Sequence, residues 1–194
     1  MNSSKSPAGA GPFPGSDTDY ELIEAIGEGD SLAFETLIRR YQKPVVNFVY
    51  KYLGDRFGAE DIAQEVFVRV YRSAAGFEPK GKVSTWIFKI AYNLSMNEIL
   101  RRRRFCLLSD VEEETGGEPA APSLVEGEEL KEALMDSIRR LPEKQRAALL
   151  LKVNEGLSYL EISSVLDVSV SSVESLLFRA RENLKKLWKE YPEN

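Results

Sequence analysis

The chain has 194 residues, 43% of them apolar, with 31 acids against 26 bases, one cysteine and no histidine. That apolar content allows one ordinary core or two small ones, while the cysteine and histidine counts exclude a disulfide framework, the usual zinc sets and a histidine base. No run reaches the roughly 18 apolar residues of a membrane span and the start MNSSKSPAGAGPFPGSD lacks a signal-peptide core, so a cytoplasmic protein without membrane insertion is expected.

Residues 1–18, rich in Ser, Gly and Pro, read as a disordered tail. A first helical lobe is expected over residues 19–104. In GDSLAFETLIRRYQKPVVNFVYKYL, Asp30 can cap a helix carrying Phe34, Leu37, Ile38 and Tyr41 inward, and Pro44 stands where a second helical piece would begin. FGAEDIAQEVFVRVYRS then places Ile62, Ala63, Val66, Phe67 and Val70 at core spacing and leaves Asp61, Gln64, Glu65 and Arg69 outside. Asp61, Gln64 and Glu65, at i, i+3 and i+4, form one acidic and amide patch, which in isolation reads as a solvated helix face.

In FEPKGKVSTWIFKIAYNLSMNEILRRRR a basic Gly/Pro loop leads into a helix that ends in four arginines. Asn93 and Asn97 are four residues apart, share a face, and can donate to and accept from base edges. Lys80 and Lys82 offer phosphate contacts, Arg101 joins the DNA-facing candidates, and Trp86 either stacks on an unpaired base or fills the core. Residues 105–130, FCLLSDVEEETGGEPAAPSLVEGEEL, carry eight acids and no base and read as a flexible linker. Without them 26 bases face 23 acids, and residues 71–104 hold eight bases against Glu78 and Glu98, so an acidic total conceals a basic lobe. Cys106, at the edge of this segment and with no second thiol, is given no role.

A second helical lobe is expected over residues 131–191. LPEKQRAALLLKVNEGLS has Pro142 at a helix start and Gly156 at its end. SYLEISSVLDVSVSSVESLLFRAR reads as helix, turn at Val168, helix, with Ile162, Val165 and Leu166 packing the first of the pair. In the last helix Val173, Leu176, Leu177, Ala180, Leu184 and Leu187 form an inward stripe. Opposite lie Ser171, Ser175, Phe178 and Glu182, flanked by Glu174 and Arg179; a helix-turn-helix offers the N-terminal part of such a face, Ser172 included, to the major groove. Two roles stay open for Glu174: an acid favoured by the helix dipole, or an acceptor for cytosine N4.

The motifs AFETLIRRYQKPV, AEDIAQEVFVRVYRS and FEPKGKVSTWIFKIAYN together resemble region 2 of bacterial RNA polymerase sigma factors of the extracytoplasmic-function (ECF) class. LPEKQRAALLLKVNEGLSYLEISSVLDVSVSSVESLLFRARENLKK resembles region 4 of the same class. The resemblance implies an all-α protein of two small helical domains joined by a flexible acidic linker. It implies that Asp61, Gln64 and Glu65 face the β′ clamp helices of core RNA polymerase, with the β flap a further contact. It places Lys80, Lys82, Trp86, Asn93, Asn97 and Arg101 at the melted minus-ten element, and Ser171, Ser172, Glu174, Ser175, Phe178 and Arg179 at the minus-thirty-five element. It further implies an anti-sigma partner, no cofactor, and no catalysis by this chain. The sequence departs from the family at Asp167, usually Gly; at Ser163 or Ser164, usually Ala-like; and at Glu174 and Leu176, where bases are usual. A free-standing helix-turn-helix regulator is the alternative. An enzyme would have acids but no nucleophile paired with a base, leaving only a nuclease-like carboxylate metal site.

Overall fold

The computed structural model describes residues 16–78, 80–109 and 126–189. Among them are eight α-helices: α1 (Ser16–Gly27), α2 (Ser31–Leu53), α3 (Arg56–Ser73), α4 (Val83–Ser109), α5 (Glu126–Arg139), α6 (Glu143–Val153), α7 (Tyr159–Leu166) and α8 (Val170–Lys189). A single 3-10 turn, Ala74–Gly76, follows α3, and no strand occurs among the described residues.

Helix α2 starts where the capping residue dictates. The Asp30 carboxylate accepts from the N–H groups of Leu32 at 2.8 Å and Ala33 at 3.2 Å, satisfying two of the helix's orphan donors. It ends at Gly54, whose φ of 80° is the left-handed conformation that glycine adopts without a Cβ clash. The break expected at Pro44 does not occur, and α2 runs straight through it. Proline there forfeits one intrahelical hydrogen bond, but Tyr41, Val45, Phe48 and Val49 on either side are all fully buried, and a break would uncover that stripe. Phe48 stacks on Tyr52 at 5.9 Å and meets Phe88 of α4 edge-on at 5.6 Å, which locks α2 to α4.

Helix limits differ from the sequence reading at both ends of the acidic stretch. α4 continues to Ser109 and α5 begins at Glu126, so residues 105–109 and 126–130 are helical, and α1 begins at Ser16 inside the expected tail. Composition marked those boundaries, and composition carries no stop signal. Pairs such as Glu98 with Arg101 and Arg102, three and four residues apart, support α4 beyond its buried part. Residues 110–125, most of the expected linker, lie outside the described residues, as do residues 1–15 of the expected tail.

Helices α1–α4 make the first lobe and α5–α8 the second, and the two are packed together. α4 lies along α7, and α2 lies against α5 and α6. One buried apolar cluster accordingly runs from Ile23 and Phe48 through Leu151 and Ile162 to Leu177.

Candidate polymerase and promoter interfaces

On α3, Ala59, Ala63, Val66, Phe67 and Val70 are buried against the lobe, which forces Asp61 and Gln64 outward into solvent. Glu65 sits beside them half exposed, its Oε1 accepting from Arg69 Nε at 2.8 Å one turn on. The three residues named from sequence therefore do share one outward face, with Arg69 partly neutralising it. Val68, 39% exposed, adds apolar surface beside them. A negative, partly apolar helix face of this kind suits a positively charged protein partner.

The loop before α4 is held by aromatic packing that the sequence reading missed. Trp86 lies 4.6 Å from Phe77, which in turn packs at 6.2 Å on Tyr20. The Tyr20 hydroxyl donates to the Gly81 carbonyl at 2.7 Å. Trp86 is thus half buried: one side braces the loop and the rest remains accessible. Lys80 pairs with Glu78 of the same loop, and Lys82 Nζ lies 2.8 Å from Glu161 Oε1 of α7. Asn93 and Asn97 are both exposed, on one face of α4.

The arginine run is largely engaged. Arg101 makes a two-pronged contact with Glu98, both bonds at 2.8 Å. Those hydrogen bonds pull the Glu98 carboxyl down to about 2. Arg102 bridges Glu98 at 2.7 Å and Asp55 at 2.6 Å, fixing the start of α3 against α4. Arg103 is bound to Glu143 of α6. A phosphate reaching Arg101 would compete with Glu98, although the arginine side chain is 70% exposed.

In the second lobe α7 opens with a reciprocal capping box between Ser158 and Glu161. It closes at Asp167, whose φ of 52° is the only positive value at a non-glycine residue among those described. An aspartate tolerates that conformation better than most residues, so the turn survives without glycine. Ser169 then accepts from the Ser172 N–H at 3.2 Å and gathers the hydroxyls of Ser171 and Ser172, starting α8.

Val173, Leu177 and Ala180 of α8 are buried and Leu176, Leu184 and Leu187 half buried, so Ser171, Glu174, Ser175, Phe178 and Arg179 are all left exposed, with Ser172 partly so. Phe178 is 66% exposed, a large apolar group with no core role and available to a thymine methyl. Ser175 returns its hydroxyl to the Ser171 carbonyl at 3.1 Å. A shallow groove beside this face is lined by Ser171, Ser175, Arg179 and also Lys144 of α6. Lys144 carried no sequence signal, because only the packing of α6 on α8 brings it there. It supplies a base where Glu174 and Leu176 do not.

Among the described residues no group of three or more acidic or thiol side chains is arranged to hold a metal ion, and no helix is long and apolar enough to cross a membrane.

Comparison with known proteins assigns both lobes. The Sigma-70 region 2 family model matches residues 37–105, and the Sigma-70 region 4 model matches residues 131–184. The chain is 37% identical over 177 residues to the ECF RNA polymerase sigma-E factor of Escherichia coli, covering 85% of this chain and 91% of that protein. It is 34% identical over 178 residues to the RNA polymerase sigma-H factor of Pseudomonas aeruginosa, covering 87% and 92% respectively. In fold it is similar to CnrH, solved in complex with the cytosolic domain of CnrY, with a TM-score of 0.69 at 21% identity over 91% of this chain and all of that one. It is also similar to the sigma factor RpoE of Bartonella quintana, solved with the anti-sigma factor NepR, with a TM-score of 0.68 at 21% identity over 82% of this chain and 98% of that one. The chain belongs to the sigma-70 family of RNA polymerase sigma factors, in its ECF class, and serves promoter recognition in transcription initiation.

Proposed function

We propose that this sigma factor docks on core RNA polymerase through Asp61, Gln64 and Glu65 on the β′ clamp helices, with its second lobe near the β flap. Lys80, Lys82, Trp86, Asn93, Asn97 and Arg101 then attend the melted minus-ten element. Ser171, Ser172, Glu174, Ser175, Phe178 and Arg179 attend the minus-thirty-five element. The observation that carries this reading is the pairing of two exposed polar helix faces in one chain, Asn93 and Asn97 on α4 and Ser171 to Arg179 on α8. A single-site duplex binder would need only the second.

The division of labour follows from the side chains present. Opening a duplex costs a few kcal/mol per unstacked step, and each base stacked on an aromatic or bonded at its edge returns about 1–3 kcal/mol. Trp86, braced from behind by Phe77, and the two asparagines can supply this binding energy. The polymerase performs the phosphoryl transfer, and the sigma factor itself catalyses nothing. It works in the cytoplasm, where polymerase and promoters are, and an anti-sigma factor is its expected inhibitor.

Transcription of genomic DNA by purified core polymerase, with and without the protein, tests this by sequencing of start sites. A discrete set of new starts is expected only with the protein. Identical starts in both reactions would refute the reading.

A further inference from the structure

Between Lys152 and Arg179 the chain carries no basic residue, while Glu155, Glu161, Asp167 and Glu174 all fall in that stretch. The stretch contains all of α7, the turn and the reading part of α8. Proteins draw a large share of their affinity for duplex DNA from cations placed on phosphates. The helix-turn-helix must therefore borrow positive charge from outside its own sequence.

One such charge comes from α6. Lys144, in the first turn of that helix, lines a groove with Ser171, Ser172, Ser175 and Arg179 of α8. Its placement is fixed one residue on, where the buried Gln145 accepts from Asn183 Nδ2 of α8 at 2.8 Å. Neither Lys144 nor Arg179 meets a carboxylate among the described residues, in contrast to Lys82, Arg101, Arg102 and Arg103. The neighbouring Glu143 is turned to Arg103. A lysine in a first helical turn also faces the positive end of the helix dipole, so Lys144 contributes nothing favourable to α6 itself. The fold gives this ammonium no counter-charge, and an anion in the groove would.

The groove runs along one edge of the reading face. At about 100° of turn per residue, Ser172, Leu176 and Arg179 share the edge toward α6, and Glu174 stands roughly 160–200° from the first two. A helix about 10–12 Å across fills a major groove about 12 Å wide, so the two edges of α8 face the backbones of different strands. The edge with Lys144 and Arg179 meets its strand with two free cations, whereas at that level the other edge presents Glu174.

We infer that Lys144, across this groove from Arg179, is a positioning residue for the minus-thirty-five element: its ammonium holds a backbone phosphate of one strand and fixes the register of α8 in the major groove without reading sequence. The inference rests on the proposed reading of α8 as the helix that meets that element.

The test uses holoenzyme assembled from core polymerase and the full chain, on a promoter found by start-site sequencing. Lys144→Ala is expected to weaken binding about three- to tenfold at about 50 mM salt, and to make the slope of log K against log salt concentration shallower by about 0.9. Lys144→Arg is expected to keep the parent slope, as is Lys131→Ala, which removes an exposed base of α5 outside the groove. Should Lys144→Ala lose helical content, Lys144→Gln decides in the same way. Base preference in a randomised minus-thirty-five library is expected to be that of the parent, and a changed preference would overturn the positioning role.

Uncharged methylphosphonates placed singly along both strands then locate the contact. One position, or two adjacent on the same strand, is expected to weaken the parent and to cost Lys144→Ala nothing further. A parent-like slope in Lys144→Ala, or additive losses at every methylphosphonate, overturns the inference. Scrambling the minus-thirty-five element separates this from failure of the α8 reading. If the parent binds scrambled and intact promoters alike, that reading falls and the inference with it; if the parent discriminates and the Lys144→Ala slope is unmoved, Lys144 alone is removed.

Discussion

Arg146 of α6 grips Tyr52 of α2 twice: one Nη donates to the Tyr52 carbonyl at 2.6 Å, and the guanidinium lies 5.4 Å from the centre of the Tyr52 ring. The other Nη donates to the Leu141 carbonyl at 3.1 Å, so one planar fork ties the α5–α6 turn to the first lobe. Arg146→Ala leaves both carbonyls without a donor and is expected to cost about 1–3 kcal/mol in urea unfolding. Arg146→Lys should recover little of this, because a lysine cannot serve both carbonyls in fixed geometry. Full recovery by lysine would show that charge, rather than the fork, is what matters there.

Glu155 gives stability an alkaline limit. Burial pushes its carboxyl up to about 7 against the opposing pull of Lys51. A folded-state value raised above the free-chain value of 4.5 means that stability is full below pH 4.5 and is lost as pH rises through about 7. The penalty at pH 8 is on the order of 3 kcal/mol. Glu155→Gln is expected to be more stable than the parent at pH 8 and to flatten the fall in Tm between pH 5 and pH 8. Glu98 sets the opposite limit: held down to about 2 by the Arg101 hydrogen bonds, it contributes stability above 4.5 that is lost as pH falls toward 2. A Tm profile of Glu155→Gln parallel to the parent's throughout would contradict the burial argument.

Reversal of the α3 patch separates binding from folding. Asp61→Lys with Glu65→Lys removes exposed charges and one i, i+4 ion pair worth about 0.3–0.5 kcal/mol, so helical content and Tm should barely move. Affinity for core polymerase, measured by fluorescence titration, is expected to fall at least about tenfold. Undiminished affinity would remove the patch from the interface.

Base reading and backbone holding should come apart on the first lobe. Asn93→Ala with Asn97→Ala is expected to impair opening of a duplex promoter and relax base preference at the minus-ten element. Lys80→Ala is expected instead to weaken binding uniformly and flatten its salt dependence by about one ion. Permanganate footprints unaltered in the asparagine variant would place the reading face elsewhere on α4.

On the second lobe the decisive residue is Glu174. As a cytosine acceptor it should restrict sequence choice at a cost in general affinity, which Lys144 and Arg179 across the adjacent groove offset. Glu174→Lys is then expected to bind more minus-thirty-five sequences, more tightly, with lost discrimination at one base pair in a randomised library. Selection of the parent's sequences by that variant would reduce Glu174 to a helix-end acid and leave specificity with Ser171, Ser175, Phe178 and Arg179.

The sequence by itself determined the all-helical class and most of the faces. Helical spacing of Val66, Phe67 and Val70 forced Asp61 and Gln64 outward, and the stripe of Val173, Leu177 and Ala180 did the same for Ser171 and Phe178. Local chemistry was equally legible at Asp30 as a cap, which depends only on neighbouring backbone, whereas the turn position of Asp167 came only from the resemblance to a family that usually has Gly there. Pro44 misled because a local helix breaker was overruled by buried side chains flanking it on α2. What the tertiary structure alone decided was every relation between residues distant in sequence: Phe77 and Tyr20 bracing the loop at Trp86, Lys144 beside the α8 face, Arg102 bridging to Asp55, and Lys82 and Arg103 spent on Glu161 and Glu143. Periodicity records which side of a helix meets a core, and it is silent about which other helix supplies that core. The free or engaged state of a charged side chain depends on that second fact, and so the arginine run that reads as a bare basic patch is, once folded, largely neutralised.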